Sequence, residues 1–211
     1  YFGIKISRCR LERKNQMSFK RYFAIADNSI TDAYGVDGAT RATGSNTGEA
    51  DVLEVFANYG DVVSGSMELS RILIQFDIDQ ISQDITDEKI PSSGVTWYLK
   101  MFNTEHGLTN PKDFDLKVHP LLEAWEEGYG VDLDNHGDEA KNFGSSWANR
   151  NPSEAWIDAG GTYIDATSSV QTFTTGLEDL ELDVTQVTQD ASTALTQALG
   201  QGNISQLGVN V

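Results

Sequence analysis

One segment of the chain, Ser70–Ile78, restricts the possible folds more than any other. Its apolar residues Ile72, Ile74 and Phe76 recur with a period of two, which places their side chains on one face of a β-strand. Leu73 is apolar on the opposite face. Because a strand that is apolar on both faces must be covered on both sides, this segment is predicted to be a central strand of a sheet.

Other segments show related patterns. Apolar and polar residues alternate most clearly in residues 94–102, 114–119 and 178–187, which are predicted strands. The weaker predictions are strands at residues 19–25 and 52–56, a turn at 27–29, a helical turn at 121–127, a strand end at 156–161 and a helix at 188–199.

The order of these elements selects the fold class. Strands do not alternate with helices, so a parallel α/β fold is disfavoured. Long polar loops, at residues 35–51 and 128–154, separate the strands. The sequence therefore predicts an all-β protein, an antiparallel jelly-roll β-sandwich with long loops and a short helix near the C-terminus.

The net charge and composition of the chain disfavour several classes of partner. The chain has 32 acidic and 15 basic residues and a net charge of −17. Such a field repels nucleic acid, so we expect no nucleic-acid partner. No apolar run is long enough for a membrane-spanning helix, and we expect no membrane partner. The single cysteine, Cys9, rules out an intrachain disulfide framework.

The first sixteen residues differ from the rest, with five basic residues and one acidic residue. Residues 12–14, Glu-Arg-Lys, are encodable by a purine-rich stretch that resembles a ribosome-binding site upstream of the Met17 codon. Residues 1–16 are thus interpreted as a translated leader, with a disordered basic arm that contacts a partner as the alternative. Residues 17–211 are interpreted as the sandwich, truncated at its C-terminal end. A signal peptide is excluded because the apolar stretch is short and the basic residues are misplaced.

An acidic loop carries the sharpest polar cluster. Asp132, Asp134 and Asp138 lie at alternating or nearby positions beside a glycine, a pattern that suits oxygen ligation of calcium. The alternative is a solvated acidic loop that binds no metal. No other cofactor is expected.

Catalysis has little support in the sequence. Glu123, Glu126 and Glu127 form an acid/base pair with Asp132 only if two carboxylates face each other across a cleft, which spacing alone does not show. No serine or cysteine nucleophile motif is present. His119 is interpreted as structural, and the chain is predicted not to be an enzyme.

The four tryptophans divide into two groups. Trp97 and Trp125 are predicted to be core residues. Trp147 and Trp156 flank a polar loop and are the better candidates for exposed rings that bind sugar, although core or subunit contact is the favoured reading for both. Arg71 is interpreted as a structural residue that pairs with Asp77 of a neighbouring subunit or with a carboxylate of its own chain.

An ordered set of short motifs resembles the DNRLRE-type carbohydrate-binding-like domains. The matching stretches are Ala26-Asp27, Asn58-Tyr59-Gly60, Arg71–Ile78, Val118 followed by Trp125–Gly128, and Leu182–Thr185. This resemblance implies a β-sandwich module. The chain departs from the pattern after Thr185, and Gly208–Val211 is interpreted as the start of a closing strand in a fragment, which would leave an exposed edge.

A second resemblance is to a structural protein of marine tailed phages. The stretches that carry it are Met17–Phe23, Thr43–Asn46, Glu68–Leu73, Met101–Asn103, Pro111–Phe114 and Gly130–Asp134. It implies a virion component made in the host cytoplasm, with other virion proteins or further copies of itself as partners. The expected function is a non-catalytic structural or adhesion module of the particle; the alternative is a module that recognises a host cell-surface polysaccharide.

Overall fold

The computed structural model describes residues 2–3, 8–13, 16–35, 37–59, 64–104, 111–131, 143–176, 178–189 and 206–210, with side chains between residues 19 and 189. Its elements in chain order are β1 (Phe2–Gly3), β2 (Arg8–Arg13), β3 (Gln16–Arg21), β4 (Ala24–Thr31), β5 (Ala57–Tyr59), β6 (Met67–Phe76), α1 (Ile78–Thr86), β7 (Thr96–Asn103), β8 (Phe114–Pro120), β9 (Asn149–Asn151), β10 (Glu154–Ala155), β11 (Ser169–Phe173), β12 (Leu180–Asp183) and β13 (Gln206–Asn210).

Two antiparallel sheets form the body of the protein. In the five-stranded sheet, β7 pairs with β12 on one side and with β1 and β2 on the other, and β3 pairs with β2. The six-stranded sheet has the order β11-β8-β13-β6-β4, and β5 also pairs with β6. A hairpin of β9 and β10 stands apart from both. The all-β, antiparallel prediction is therefore confirmed.

The main core contains side chains from both sheets. Ile72, Ile74 and Phe76 extend from β6 and pack in the same cluster as Leu99 and Met101 of β7. The core is completed by Leu53, Leu116, Val118, Phe173, Leu180, Val184 and Val187. The period-two prediction for β6 is thus confirmed, and the opposite face of that strand, through Leu73, packs in a second cluster.

The C-terminal strand corrects one expectation. Strand β13 was expected to leave an exposed edge, but it lies inside the six-stranded sheet. Gly208 pairs with Leu73 of β6 on one side and with His119 of β8 on the other. Pairing on both sides satisfies the backbone groups that an edge strand would leave open.

Helix α1 is absent from the sequence prediction. The strand pattern was extended through Ile78, but Asp77 accepts a hydrogen bond from the Gln80 backbone N–H at 3.0 Å and begins a helix. Ile81 and Ile85 then pack against Tyr22 and Ile90. Ile78, Ile81 and Ile85 have the spacing of one helix face, and this spacing could have predicted α1 from the sequence.

Several weaker predictions are also wrong. The predicted turn at 27–29 lies inside β4, and the predicted strand at 52–56 is replaced by β5 a few residues later. Residues 121–127 are not helical. A short helix near the C-terminus begins at 185, earlier than predicted, and is described to 189; the rest of the predicted 188–199 helix lies outside the described residues.

The N-terminal segment enters the first sheet. The backbone of β2 pairs with β3 from Arg8↔Arg21 to Arg13↔Gln16, and residues 8–10 also pair with β7. The interpretation of residues 1–16 as a translated leader stays a prediction, since strand pairing does not report how the segment is encoded.

Candidate functional site

Three loops cover the outer face of the six-stranded sheet and form the candidate site. They span residues 42–50, 121–131 and 143–163 and rest on Ile30 of β4 and Leu73 of β6. Their anchors are the buried side chains of Leu121, Trp125, Trp147 and Trp156. The sheet thus has a second apolar cluster that loops, rather than strands, provide.

Two buried asparagines hold these loops together. The Asn28 side chain, on β4, donates to the carbonyl oxygen of Ser145 at 3.1 Å and to its Oγ at 2.9 Å, and accepts from the Thr47 backbone N–H at 2.9 Å. Asn46 accepts from the Gly130 N–H and donates to the Phe143 carbonyl, both at 2.9 Å. We call Asn28 and Asn46 the asparagine clamp. Because buried amides are costly when unpaired, these bonds fix the loops in one arrangement.

Glycines allow the loops to approach this closely. A Cβ added at Gly48 would overlap the backbone of Gly128, and one added at Gly130 would overlap the backbone oxygen of Asn46. Backbone packs directly on backbone at both points, so only glycine fits without displacing a loop. The clamp is therefore rigid by packing as well as by hydrogen bonding.

The clamp presents one row of side chains outward. Along residues 127–131 exposure alternates, with Gly128 and Gly130 buried and Glu127, Tyr129 and Val131 exposed. The exposed fractions are 62% for Tyr129 and 53% for Phe143, whose rings lie 6.0 Å apart at 65°. We call Glu127, Tyr129, Val131 and Phe143 the acid-aromatic strip. Large apolar groups held rigidly in water are typical of a contact surface.

Carboxylates border the strip. Glu127 Oε1 accepts the backbone N–H of Asp27 at 2.8 Å, which brings two carboxylates together where β4 meets the loops. Burial, and then the negative charge of Glu127, raise the pKa of Asp27 above its ordinary value. In the printed sequence, Asp132, Asp134, Asp138 and Glu139 lie between Val131 and Phe143. The described border of the strip is therefore acidic, which suits partners that carry cations.

The tryptophans predicted to bind sugar lie beneath this surface. Trp147 is 8% exposed and Trp156 is 5% exposed, and the Trp156 indole N–H donates to the Ser146 carbonyl at 2.8 Å. Both rings are buried, so the favoured core reading is confirmed and the reading as exposed rings is not. The predicted core position of Trp125 is confirmed.

Arg71 supports the loops from the sheet. Its guanidinium lies 4.8 Å from the Trp147 ring and 5.2 Å from the Tyr163 ring, and it donates to the Gly160 carbonyl at 2.7 Å. Desolvation lowers the pKa of Arg71, and the aromatic faces partly compensate the buried charge. Its contacts within the described residues are to aromatic rings and a carbonyl, the charge of Asp32 also acts on its pKa, and the predicted pairing with a neighbouring subunit stays a prediction.

The predicted acid/base residues have separate structural contacts. Glu123 accepts from the Ile157 backbone N–H at 3.0 Å and from the Thr162 hydroxyl, and lies 3.8 Å from the Arg150 guanidinium. Glu127 holds Asp27, and Glu126 is exposed. Their proposed partner Asp132 lies outside the described residues, so that pairing stays a prediction.

The predicted calcium ligands Asp132, Asp134 and Asp138 also lie outside the described residues. Within the described ranges, no group of three or more His, Cys, Asp or Glu side chains is placed to hold a metal ion. Also within those ranges, no helix has the length and apolar character needed to cross a membrane. His119 is buried against the Tyr163 ring at 4.7 Å, and desolvation lowers its pKa.

Sequence reasoning missed the residues that build this surface. Asn28 was placed in a turn, and Tyr129 and Phe143 received no role. The alternation of glycine with larger residues at 127–131 was a usable signal, because a strand-like segment with glycine on one face packs that face closely. The bonding partners of Asn28 and Asn46 lie far away in sequence, so no local pattern identifies them.

Comparisons with protein-family models, curated proteins and solved structures found no match to this chain. The interpretation of the site therefore depends on its geometry.

Proposed function

We propose that the chain is a non-catalytic structural or adhesion module of a phage particle, built as a jelly-roll β-sandwich. The observation that supports this most directly is the acid-aromatic strip on its rigid base. The strip offers apolar and acidic groups on a surface that hydrogen bonds and close backbone contacts hold in place, which lowers the entropic cost of association. A module that repeats or docks on a particle needs such a surface.

The resemblance to phage structural proteins bears on the same region. One of its stretches, Thr43–Asn46, ends on the asparagine clamp, and another, Gly130–Asp134, begins at the strip. Two of the six stretches that carry the resemblance thus contribute described residues to the clamp or the strip, namely Asn46 and Val131.

Particle composition tests the proposal. Mass spectrometry of purified particles of the encoding phage is expected to detect the chain at a fixed ratio to the capsid protein. A double variant, Tyr129→Ser with Phe143→Ser, is expected to fold normally and to be lost from particles. Tyr59→Ser, which changes an exposed tyrosine on β5, is the matched control and is expected to be incorporated. Intact particles that lack the wild-type chain would reject the proposal.

A second candidate is polysaccharide recognition through the same strip. The specific observation is that exposed rings lie beside the exposed carboxylates of Glu126 and Glu127, so apolar faces and hydroxyl acceptors are adjacent. Calorimetric titration with host cell-surface polysaccharide is expected to give millimolar affinity that Tyr129→Ala weakens. No heat of binding at saturating sugar rules this candidate out and leaves the structural role in place.

A further inference from the structure

A second exposed surface lies where the chain passes from β3 to β4. Exposure alternates along this stretch, with Arg21, Phe23 and Ile25 in solvent. Phe23 is 55% exposed and Ile25 is 57% exposed. Ile25 lies in β4, an outer strand of the six-stranded sheet as described, and Phe23 comes just before that strand. Large apolar side chains at a sheet edge are a pairing hazard that proteins normally block.

The loops block only part of this edge. From Asp27 onward they cover it, since Glu127 accepts the Asp27 N–H, the Thr47 hydroxyl accepts the Ser29 N–H, and the Thr47 N–H donates to the Ser29 carbonyl. Among the described residues, no loop forms such a bond to the backbone of Ala24–Ala26. The register shift between Ala24 and Ala26 marks a bulge at Ile25. The edge is therefore protected in its second half and accessible in its first.

The chemistry along this surface follows a fixed order. Arg21 is the cation at one end, Phe23 and Ile25 form the apolar centre, and Asp27 with Glu127 supplies carboxylates at the other end. Among the described residues, no lysine or arginine contributes to the pKa of Asp27, whose causes are burial and Glu127. The carboxylate end thus has the charge that a cation from outside would neutralise.

We propose that this edge surface, defined as Arg21, Phe23, Ile25, Asp27 and Glu127, is the contact between two copies of this chain related by a two-fold axis. An order of cation, apolar centre and carboxylates is complementary to itself when rotated by 180°. Arg21 of each copy then meets the carboxylates of the other, and the two apolar centres cover each other. The dimer goes beyond the proposed function, and it does not require a particle.

The net charge of −17 opposes any such dimer through long-range repulsion. At physiological salt the Debye length is about 8 Å, so repulsion between distant charges is screened whereas the adjacent Arg–carboxylate pairs are not. The contact is therefore expected to be stable at physiological salt and weaker at very low salt.

Sedimentation velocity of the full chain tests the proposal. The wild type is expected to change from monomer to dimer at micromolar concentrations. Ile25→Lys places two ammonium groups in the apolar centre and is expected to weaken the dimer about tenfold or more. Ile157→Lys is the matched control, since Ile157 is exposed on a different loop, and it is expected to leave the dimer unchanged. A monomeric wild type, or an Ile25→Lys variant that dimerises like wild type, would overturn the proposal.

A charge exchange tests the two-fold arrangement. Arg21→Glu and Glu127→Arg are each expected to lose the homodimer, because like charges then meet at both ends. Mixed in equal amounts, they are expected to form a heterodimer of near wild-type stability, since both ends become complementary again. Thermal unfolding of each variant verifies the fold. Failure of two folded variants to associate when mixed would overturn the arrangement, while absence of the chain from particles would reject only the proposed function.

Discussion

The two faces of the six-stranded sheet are covered in different ways. The inner face packs on the second sheet through aliphatic and aromatic side chains, with Phe173, Leu99 and Met101 among them. The outer face is covered by loops, where three tryptophans supply the apolar area and buried amides hold the backbone. The inner face is stabilised by apolar packing, which has no preferred direction. The outer face is held by hydrogen bonds, which are directional and join segments far apart in sequence. The outer layer is therefore the more sensitive to single polar changes and the better suited to display a surface.

The largest effect is expected in the inner core. Phe173→Ala removes a fully buried ring that stacks on Phe114 at 5.0 Å, and it is expected to lower the free energy of unfolding by about 3–5 kcal/mol. Chemical denaturation followed by far-UV circular dichroism measures this. Phe173→Leu, the conservative control, is expected to cost about 1 kcal/mol. If both variants lost the same free energy of unfolding, side-chain packing would not be what mainly stabilises the inner face.

The asparagine clamp gives the next effect. Asn28→Ala leaves the Thr47 N–H and the Ser145 groups without their partner, and we expect a loss of about 2–3 kcal/mol. Because Trp125, Trp147 and Trp156 lie in the outer layer, tryptophan fluorescence should report unfolding before circular dichroism does. Asn58→Ala, at an exposed asparagine, is the control and should change stability by less than about 0.5 kcal/mol. Coincident fluorescence and dichroism transitions in Asn28→Ala would show that the two faces unfold as one unit.

Close backbone packing in the outer layer is tested by Gly130→Ala. The added methyl group would overlap the Asn46 backbone, so we expect a loss of about 1–3 kcal/mol and a displaced strip. Gly94→Ala has open space but a positive φ of 72°, and its cost of about 1 kcal/mol measures backbone strain alone. The two stabilities are compared by thermal unfolding. A Gly130→Ala variant more stable than Gly94→Ala would refute the close contact.

The smallest effect on stability is expected from the hydrogen bond and ion pairs of Asp84, which hold α1 beside the inner core. Asp84 accepts from the Tyr22 hydroxyl at 2.9 Å and pairs with Lys20 at 2.9 Å and Lys89 at 3.0 Å, and hydrogen bonds from Lys20, Lys89 and Tyr22 lower its pKa to about 2. Since the folded pKa lies below the ordinary value of 3.8, the stabilisation is complete above that value and is lost as the pH falls towards 2.

As the pH is lowered from about 4 to 2, the free energy of unfolding should therefore decline more steeply for the wild type than for Asp84→Asn, which has no carboxylate to protonate at this position. Parallel curves for the two proteins would show that the Asp84 contacts contribute nothing. The inner core itself, being apolar, should add no pH dependence of its own.

The sequence pattern alone was sufficient to predict strands and their buried faces where apolar residues alternate regularly. The alternation in residues 70–76 and in 96–101 placed β6 and β7 and their inward side chains, because a strand alternates faces whatever its neighbours are. Local pattern left two readings open for Trp147 and Trp156, as exposed rings or as core residues. Polar neighbours in sequence are compatible with solvent exposure, but Arg71, which covers Trp147, comes from a distant strand.

The amino-acid sequence was enough to establish an acidic, antiparallel all-β chain with a central strand apolar on both faces, since these properties depend on residue type and short-range spacing. The tertiary structure was needed to place β13 between β6 and β8, to bury the tryptophans under loops and to bring Asn28 and Asn46 to Ser145, Gly130 and Phe143. Those contacts join segments as far apart as Ile72 and Val209, and a hydrogen bond between such segments depends on the whole fold and leaves no periodic trace in the chain.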